Sequence, residues 1–221
     1  RTTNIVVIVS VLLLQVRCQN NAGETGTIPT IKQIRAVTSG PRHHFASAYY
    51  HFHSWSKNGK YILCLETDIA HKNPGIGDKA VVGMVDMETS KFTPVAETRS
   101  WNFQQGAMQQ WLGSSPDSLI IYNDFRDGRF VAVIRNVFTG EARVINCPVS
   151  GVSMDGRMGV SLNYARIHRT RPGYGYADPG ENPRLSDAYP EDDGLFVVDI
   201  ETGASQLIVT MADIYERNPP P

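Results

Sequence analysis

Three short stretches decide the fold: Val85-Asp-Met-Glu-Thr-Ser-Lys91, Arg135-Asn-Val-Phe-Thr-Gly-Glu141 and Val198-Asp-Ile-Glu-Thr-Gly-Ala204. Thr-Gly is hairpin chemistry, because glycine accepts the positive φ that a tight turn needs. An apolar run precedes each copy: Ala80 to Val85, Phe130 to Ile134, and Leu195 to Val198. A second run follows it: Phe92 to Val95, Ala142 to Ile145, and Ser205 to Val209. Upstream of each lies another polar turn, Trp55 to Lys60, Ser114 to Ser118, and Val152 to Arg157, with an apolar strand behind it. The unit is therefore a four-stranded antiparallel meander, and it occurs three times.

A four-stranded unit repeated at intervals of tens of residues is the signature of a propeller blade. The expected fold class is all-β, a β-propeller of four-stranded antiparallel blades with about three blades present. Their expected bounds are residues 42–97, 98–148 and 149–210, within a partial propeller spanning 26–221. A tail, 211–221, then leads toward further blades. The rival architecture, a complete two-sheet sandwich, fits less well because the copies resemble one another so closely.

Composition agrees with a globular β protein. Hydrophobic residues make up 41% and charged residues 19%, with 19 Gly and 13 Pro for turns. The net charge of −1 lacks the basic excess of a nucleic-acid binder. Three cysteines are too few for a disulfide scaffold, and Cys64 and Cys147 read as buried thiols rather than a bridge. The apolar run Ile5 to Leu14 is too short to span a bilayer and has the size of a signal-peptide core. Residues 1–25 are therefore expected to be a signal peptide and polar linker, and the protein to be exported to the periplasm or outside the cell. Arg17 makes a poor lipobox before Cys18, so cleavage rather than lipoprotein anchoring is expected.

Blade topology sorts the chemistry. The first and third turns of every unit share one end of the disc, and these are the tight ones. The second connection and the inter-blade segments share the other end, where every long or chemically rich segment falls. That end collects Arg42-His-His44, the loop Asp68 to Asp78, the lead-in Arg99 to Gly106, Asn123 to Gly128, and the loop from Ala165 to Asp193. Arg166, Arg169 and Arg171 crowd one loop within a nearly neutral chain, which implies a local anion site. Arginine's planar fork suits carboxylates. Trp101, Tyr174 and Tyr176 offer flat faces for sugar rings, and Gln104 and Gln105 offer neutral donors and acceptors. His168, among the arginines, is the candidate general base. The candidate binding set is thus Arg42, His43, His44, Trp101, Gln104, Gln105, Arg166, Tyr174 and Tyr176. The candidate catalytic set is His168, Arg169 and Arg171. The expected partner is an acidic oligosaccharide, with no nucleic acid and no membrane span.

Several of these segments together resemble the oligogalacturonate-lyase-like, TolB-type propeller proteins. They are Arg42-His-His-Phe45 with Tyr49-Tyr50, Trp55 to Leu63, Trp101-Asn-Phe-Gln-Gln-Gly106, Ile121-Tyr-Asn-Asp124 and Arg169 to Tyr176. The resemblance covers residues 40–210. It implies a closed propeller with a central carbohydrate site, and for the lyases β-elimination of pectin fragments with a manganese-type divalent metal held largely by histidines. Those ligands belong to later blades, so no cofactor or metal ligand is assigned among these residues. A non-catalytic TolB-type binding propeller and the propeller domain of a larger peptidase-like hydrolase are the alternatives.

Overall fold

The computed structural model describes residues 34–46, 54–113, 115–177 and 183–219. The expected signal peptide lies outside them. The chain divides into a unit before Ala36 and a compact unit from Ala36 onward. The strands of the second unit form three sheets, each a meander in chain order. The first holds β1 (His43–Ala46), β2 (Tyr61–Thr67), β3 (Ala80–Asp86) and β4 (Phe92–Thr98). The second holds β5 (Gln110–Trp111), β6 (Leu119–Arg126), β7 (Arg129–Asn136) and β8 (Ala142–Ile145). The third holds β9 (Gly151–Val152), β10 (Met158–Ser161), β11 (Gly194–Asp199) and β12 (Ser205–Thr210). Every pairing is antiparallel. This is the architecture of three successive propeller blades.

The repeated turns hold because one side chain organises each. Asp86 Oδ1 accepts from the Glu88 and Thr89 amides and the Thr89 hydroxyl. Asn136 Oδ1 accepts from the amides of Phe138 and Thr139, and Asp199 Oδ1 from the amide and hydroxyl of Thr202. The residue after the threonine takes a left-handed conformation in all three: Ser90 (φ 58), Gly140 (φ 77) and Gly203 (φ 74). Glycine occupies that region without cost, whereas a residue with a β-carbon is strained there by about 1 kcal/mol. Ser90→Gly is therefore expected to raise stability by about 0.5–1 kcal/mol, read as a higher urea midpoint. A lower midpoint would contradict this account of the repeat.

Strand β6 shows why the sheets stack. Side chains alternate along a strand, yet β6 is buried almost throughout. Ile120 and Tyr122 face the first sheet, packing with Leu63, Leu65, Val82 and the indoles of Trp101 and Trp111. Ile121 faces the third sheet, with Ile134, Ile145, Val149, Val198 and Ile200. A strand covered on both faces must be apolar at both parities, which is what the run Leu119-Ile-Ile-Tyr122 provides. Burying each such side chain contributes about 1.5–3 kcal/mol.

Three local features differ from the sequence reading. The segment Asn123 to Gly128 is not a connection. Strands β6 and β7 continue through it to a two-residue hairpin turn, with Asp127 at φ 49 and Gly128 at φ 76. The loop after β10 begins as a helix, α1 (Tyr164–Thr170). The tail begins as a second helix, α2 (Met211–Arg217), started by a capping box between Thr210 and Asp213. Cys64 and Cys147 are both free thiols. Burial and the neighbouring Glu66 charge push Cys64 up to about 12, and burial also raises Cys147.

Candidate functional site

The long connections gather at one end of the sheets, and hydrogen bonds tie them together. In the segment joining β4 to β5, Asn102 Nδ2 donates to the carbonyls of Tyr174 (3.2 Å) and Gly175 (3.4 Å) in the β10–β11 loop. Trp101 Nε1 donates to Asp78 O (3.0 Å) in the β2–β3 loop. The Asn73 side chain of that same loop lies beside Gly173. The Arg99 amide donates to Asp124 Oδ1. Loops from all three sheets thus converge.

Asn123 underlies the convergence. It is fully buried at the end of an otherwise apolar run. Its Nδ2 donates to Val149 O (2.8 Å) and to the Tyr176 hydroxyl (3.1 Å), while its Oδ1 accepts from Val149 N (2.8 Å). Thr98 Oγ1 donates to the Asn123 carbonyl. One carboxamide therefore joins the second sheet to the third and supports the loop above it.

Helix α1 carries the arginines. Asn163 caps it, its Oδ1 accepting from Arg166 N. Arg166 turns inward: Nε donates to Asp193 Oδ2 (2.7 Å) and Nη1 to Asp187 O. Asp193 is itself buried and also takes Asn163 Nδ2 (2.8 Å). The Arg166 charge is therefore balanced within the protein. Arg169 is exposed and donates to Leu185 O. Arg171, just past the helix, is exposed and stacks its guanidinium 4.8 Å from the centroid of the Tyr174 ring. His168 is half-buried on the helix. Its Nδ1 is closed to solvent and finds no hydrogen-bond partner.

The aromatic candidates divide. Tyr174 is half-buried and holds Arg171. Tyr176 is completely buried, stacked on Tyr164 at 4.3 Å and 8°. Burial first, then Tyr164, holds its hydroxyl well above the ordinary tyrosine range. Trp101 is 2% exposed and packed edge-on against Phe103. Both rings are enclosed in the protein's own packing and present no flat face to a sugar. The physical reason is size: a large ring with a single polar atom is most favourably placed inside once that atom is bonded.

The remaining candidates sit as follows. Arg42 pairs with Glu66 (3.1 Å) and Asp68 (3.3 Å) at the loop end of the first sheet. His44 lies 3.3 Å from Glu66 and packs on Phe92, while His43 is exposed. Gln104 is exposed, and the Gln105 amide closes onto Asn102 Oδ1. Of the candidates on the β4–β5 and β10–β11 segments, Arg169, Arg171 and Gln104 are exposed, and Tyr174 lies beneath Arg171. A cavity of about 260 Å³ opens nearby between the second and third sheets, lined by Phe130, Cys147, Asn163, Asp193 and Phe196. Among the described residues no three His, Cys, Asp or Glu side chains come together as metal ligands. Among them, too, no helix is long and apolar enough to cross a membrane.

The stacked four-stranded meanders define the class, an all-β protein of propeller blades. The chain is similar to several solved structures. An oligogalacturonate lyase from Vibrio parahaemolyticus is 14% identical, with a TM-score of 0.48 over 79% of this chain and 43% of that one. TolB from Acinetobacter baumannii is 12% identical, with a TM-score of 0.42 over 71% and 31%. A putative TolB from Agrobacterium tumefaciens is 14% identical, with a TM-score of 0.44 over 79% and 50%. The chain thus spans half or less of the length of these structures. No protein-family model matches it, and no curated protein does.

Proposed function

We propose that the loop end binds a carboxylate-bearing oligosaccharide, of the uronate class, in an exported protein. The observation that carries this is the exposed Arg171 guanidinium laid over Tyr174, on a loop that Asn102 locks to the second sheet. Stacking fixes the plane of the guanidinium while leaving its N–H edge free, the arrangement that takes a carboxylate through two parallel bonds. Arg169, two residues earlier and exposed, adds a second positive charge, and the exposed Gln104 offers a carboxamide to hydroxyls. Arg166, neutralised by Asp193, acts as a strut rather than a ligand group.

The same groups support β-elimination. A base removes the proton α to the uronate carboxylate, the electron pair forms the double bond, and the β carbon–oxygen bond breaks, leaving the departing oxygen to take a proton. Arg171 and Arg169 would hold the carboxylate as its charge grows, and His168 would serve as the base. Incubating oligogalacturonate with the protein is then expected to produce the absorbance of an unsaturated uronide, and His168→Ala to slow its appearance by about 100-fold or more. Unchanged turnover in that variant would remove His168 from the reaction. Absence of any unsaturated product, with binding intact, would leave a carbohydrate-binding protein and overturn the catalytic half.

A further inference from the structure

Two of the tight turns are built alike and differ at one position that carries chemistry. In the first sheet Ser56-Lys-Asn-Gly-Lys60 leads into β2, and in the third Ser153-Met-Asp-Gly-Arg157 leads into β10. Gly59 (φ 71) and Gly156 (φ 75) hold the left-handed position, and each gives its amide to the serine carbonyl before it at 2.9 Å. In each, the serine Oγ takes the amide of the first strand residue, Tyr61 or Met158, at 3.0 Å. The first turn has asparagine where the third has aspartate. Asn58-Gly59 is the one Asn-Gly pair in the sequence.

A glycine after asparagine leaves the next amide nitrogen unhindered, so it can close on the asparagine Cγ. The turn supplies more than access. Asn58 Oδ1 accepts from the Ser56 hydroxyl (2.8 Å) and from the Lys60 amide (3.0 Å). As the Gly59 nitrogen attacks Cγ, negative charge gathers on Oδ1, and these two donors already stand at oxyanion-hole distance from it. The Ser56 hydroxyl is itself fixed, being buried and bonded to Tyr61 N. The Gly59 N–H points at Ser56 O, a contact the turn gives up as the ring closes. Asn58 and Gly59 are exposed, so water reaches the product.

We propose that this turn is a self-modifying site that converts Asn58 to aspartate and isoaspartate. The Gly59 nitrogen loses its proton and bonds to Asn58 Cγ, the Cγ–Nδ2 bond breaks, and Nδ2 leaves as ammonia. Water then opens the cyclic imide. Opening at Cγ gives aspartate, and opening at the main-chain carbonyl of residue 58 gives isoaspartate, with one more methylene in the backbone. The aspartate form fits, since Asp155 fills the same place and takes the Ser153 hydroxyl (2.6 Å) and the Arg157 amide (3.1 Å). The isoaspartate form does not. Its longer main chain cannot keep both the closure of Gly59 on Ser56 and the residue 58 amide on Asp117 Oδ1 (2.8 Å). That second contact ties the turn to the second sheet, so the modification loosens the joint between the first two sheets.

The test holds the protein in warm, mildly alkaline buffer, folded in one sample and unfolded by guanidinium chloride in another. Peptide mass mapping and isoaspartate-specific methylation follow residue 58 with time. The folded protein is expected to lose the Asn58 amide about tenfold faster than the same chain unfolded, because only the folded turn places both donors on Oδ1. Ser56→Ala should remove about tenfold of the folded rate and leave the unfolded rate unchanged. Asn58→Gln should form neither product. A folded rate equal to or below the unfolded one would overturn the proposal, and so would a folded Ser56→Ala that reacts as fast as the unsubstituted protein. Should Ser56→Ala not fold, the comparison within the unsubstituted protein decides the matter alone.

Discussion

Replacing Asn123 with alanine should lower stability by about 4 kcal/mol, seen as a large fall in the urea midpoint. The side chain is fully buried and makes three hydrogen bonds, to both backbone groups of Val149 and to the Tyr176 hydroxyl. Alanine leaves all three partners buried without water, and each unmet group costs about 1–3 kcal/mol. A small cavity adds to the loss. The rearrangement should also loosen the β10–β11 loop, because Tyr176 anchors it. A loss below about 1 kcal/mol would show that water or a neighbour replaces the carboxamide, and that Asn123 does not hold the sheets together.

The second large effect is expected at Gly175. A β-carbon there would collide with the backbone of Tyr164 and His168, on α1. Backbone cannot move aside as a flexible side chain can, so Gly175→Ala should cost about 3 kcal/mol or expel the loop. The loop carries Arg171 and Tyr174, while Tyr176 stacks on Tyr164. Expulsion would therefore break the stack and the binding face together. The measurement is stability and uronide binding on the same sample. Wild-type values for both would mean that the close approach of loop and helix is not needed.

Much of the fold was legible because its signal is local and repeated. Asp86, Asn136 and Asp199 each organise their own turn, so the residues that make the turn are adjacent in the sequence. The grouping of the rich segments at one end followed from strand parity alone, and Asn102 reaching Tyr174 is its physical expression. What the sequence hid is set by partners far away in the chain. Arg166 and Arg171 look alike in it, yet Asp193 balances one and Tyr174 presents the other. Trp101 and Tyr176 read as sugar platforms, because nothing local says that Asp78 and Asn123 will satisfy their polar atoms inside. Helix α1 did leave a signal, with Asn163 at its cap, His168 and Arg169 in its last turn and Pro172 just beyond. It is short, and the surrounding turn-rich pattern masked it. Asn123 left one as well: a carboxamide at an inward position of an apolar strand needs partners.

The most direct measurement is calorimetric titration of the protein and of Arg171→Ala with trigalacturonate, at low and high salt, beside the neutral galactose trimer. The acid is expected to bind, salt to weaken it, and the variant to lose about tenfold or more in affinity. Equal binding by protein and variant, or by acid and neutral trimers, would contradict a carboxylate site built on Arg171.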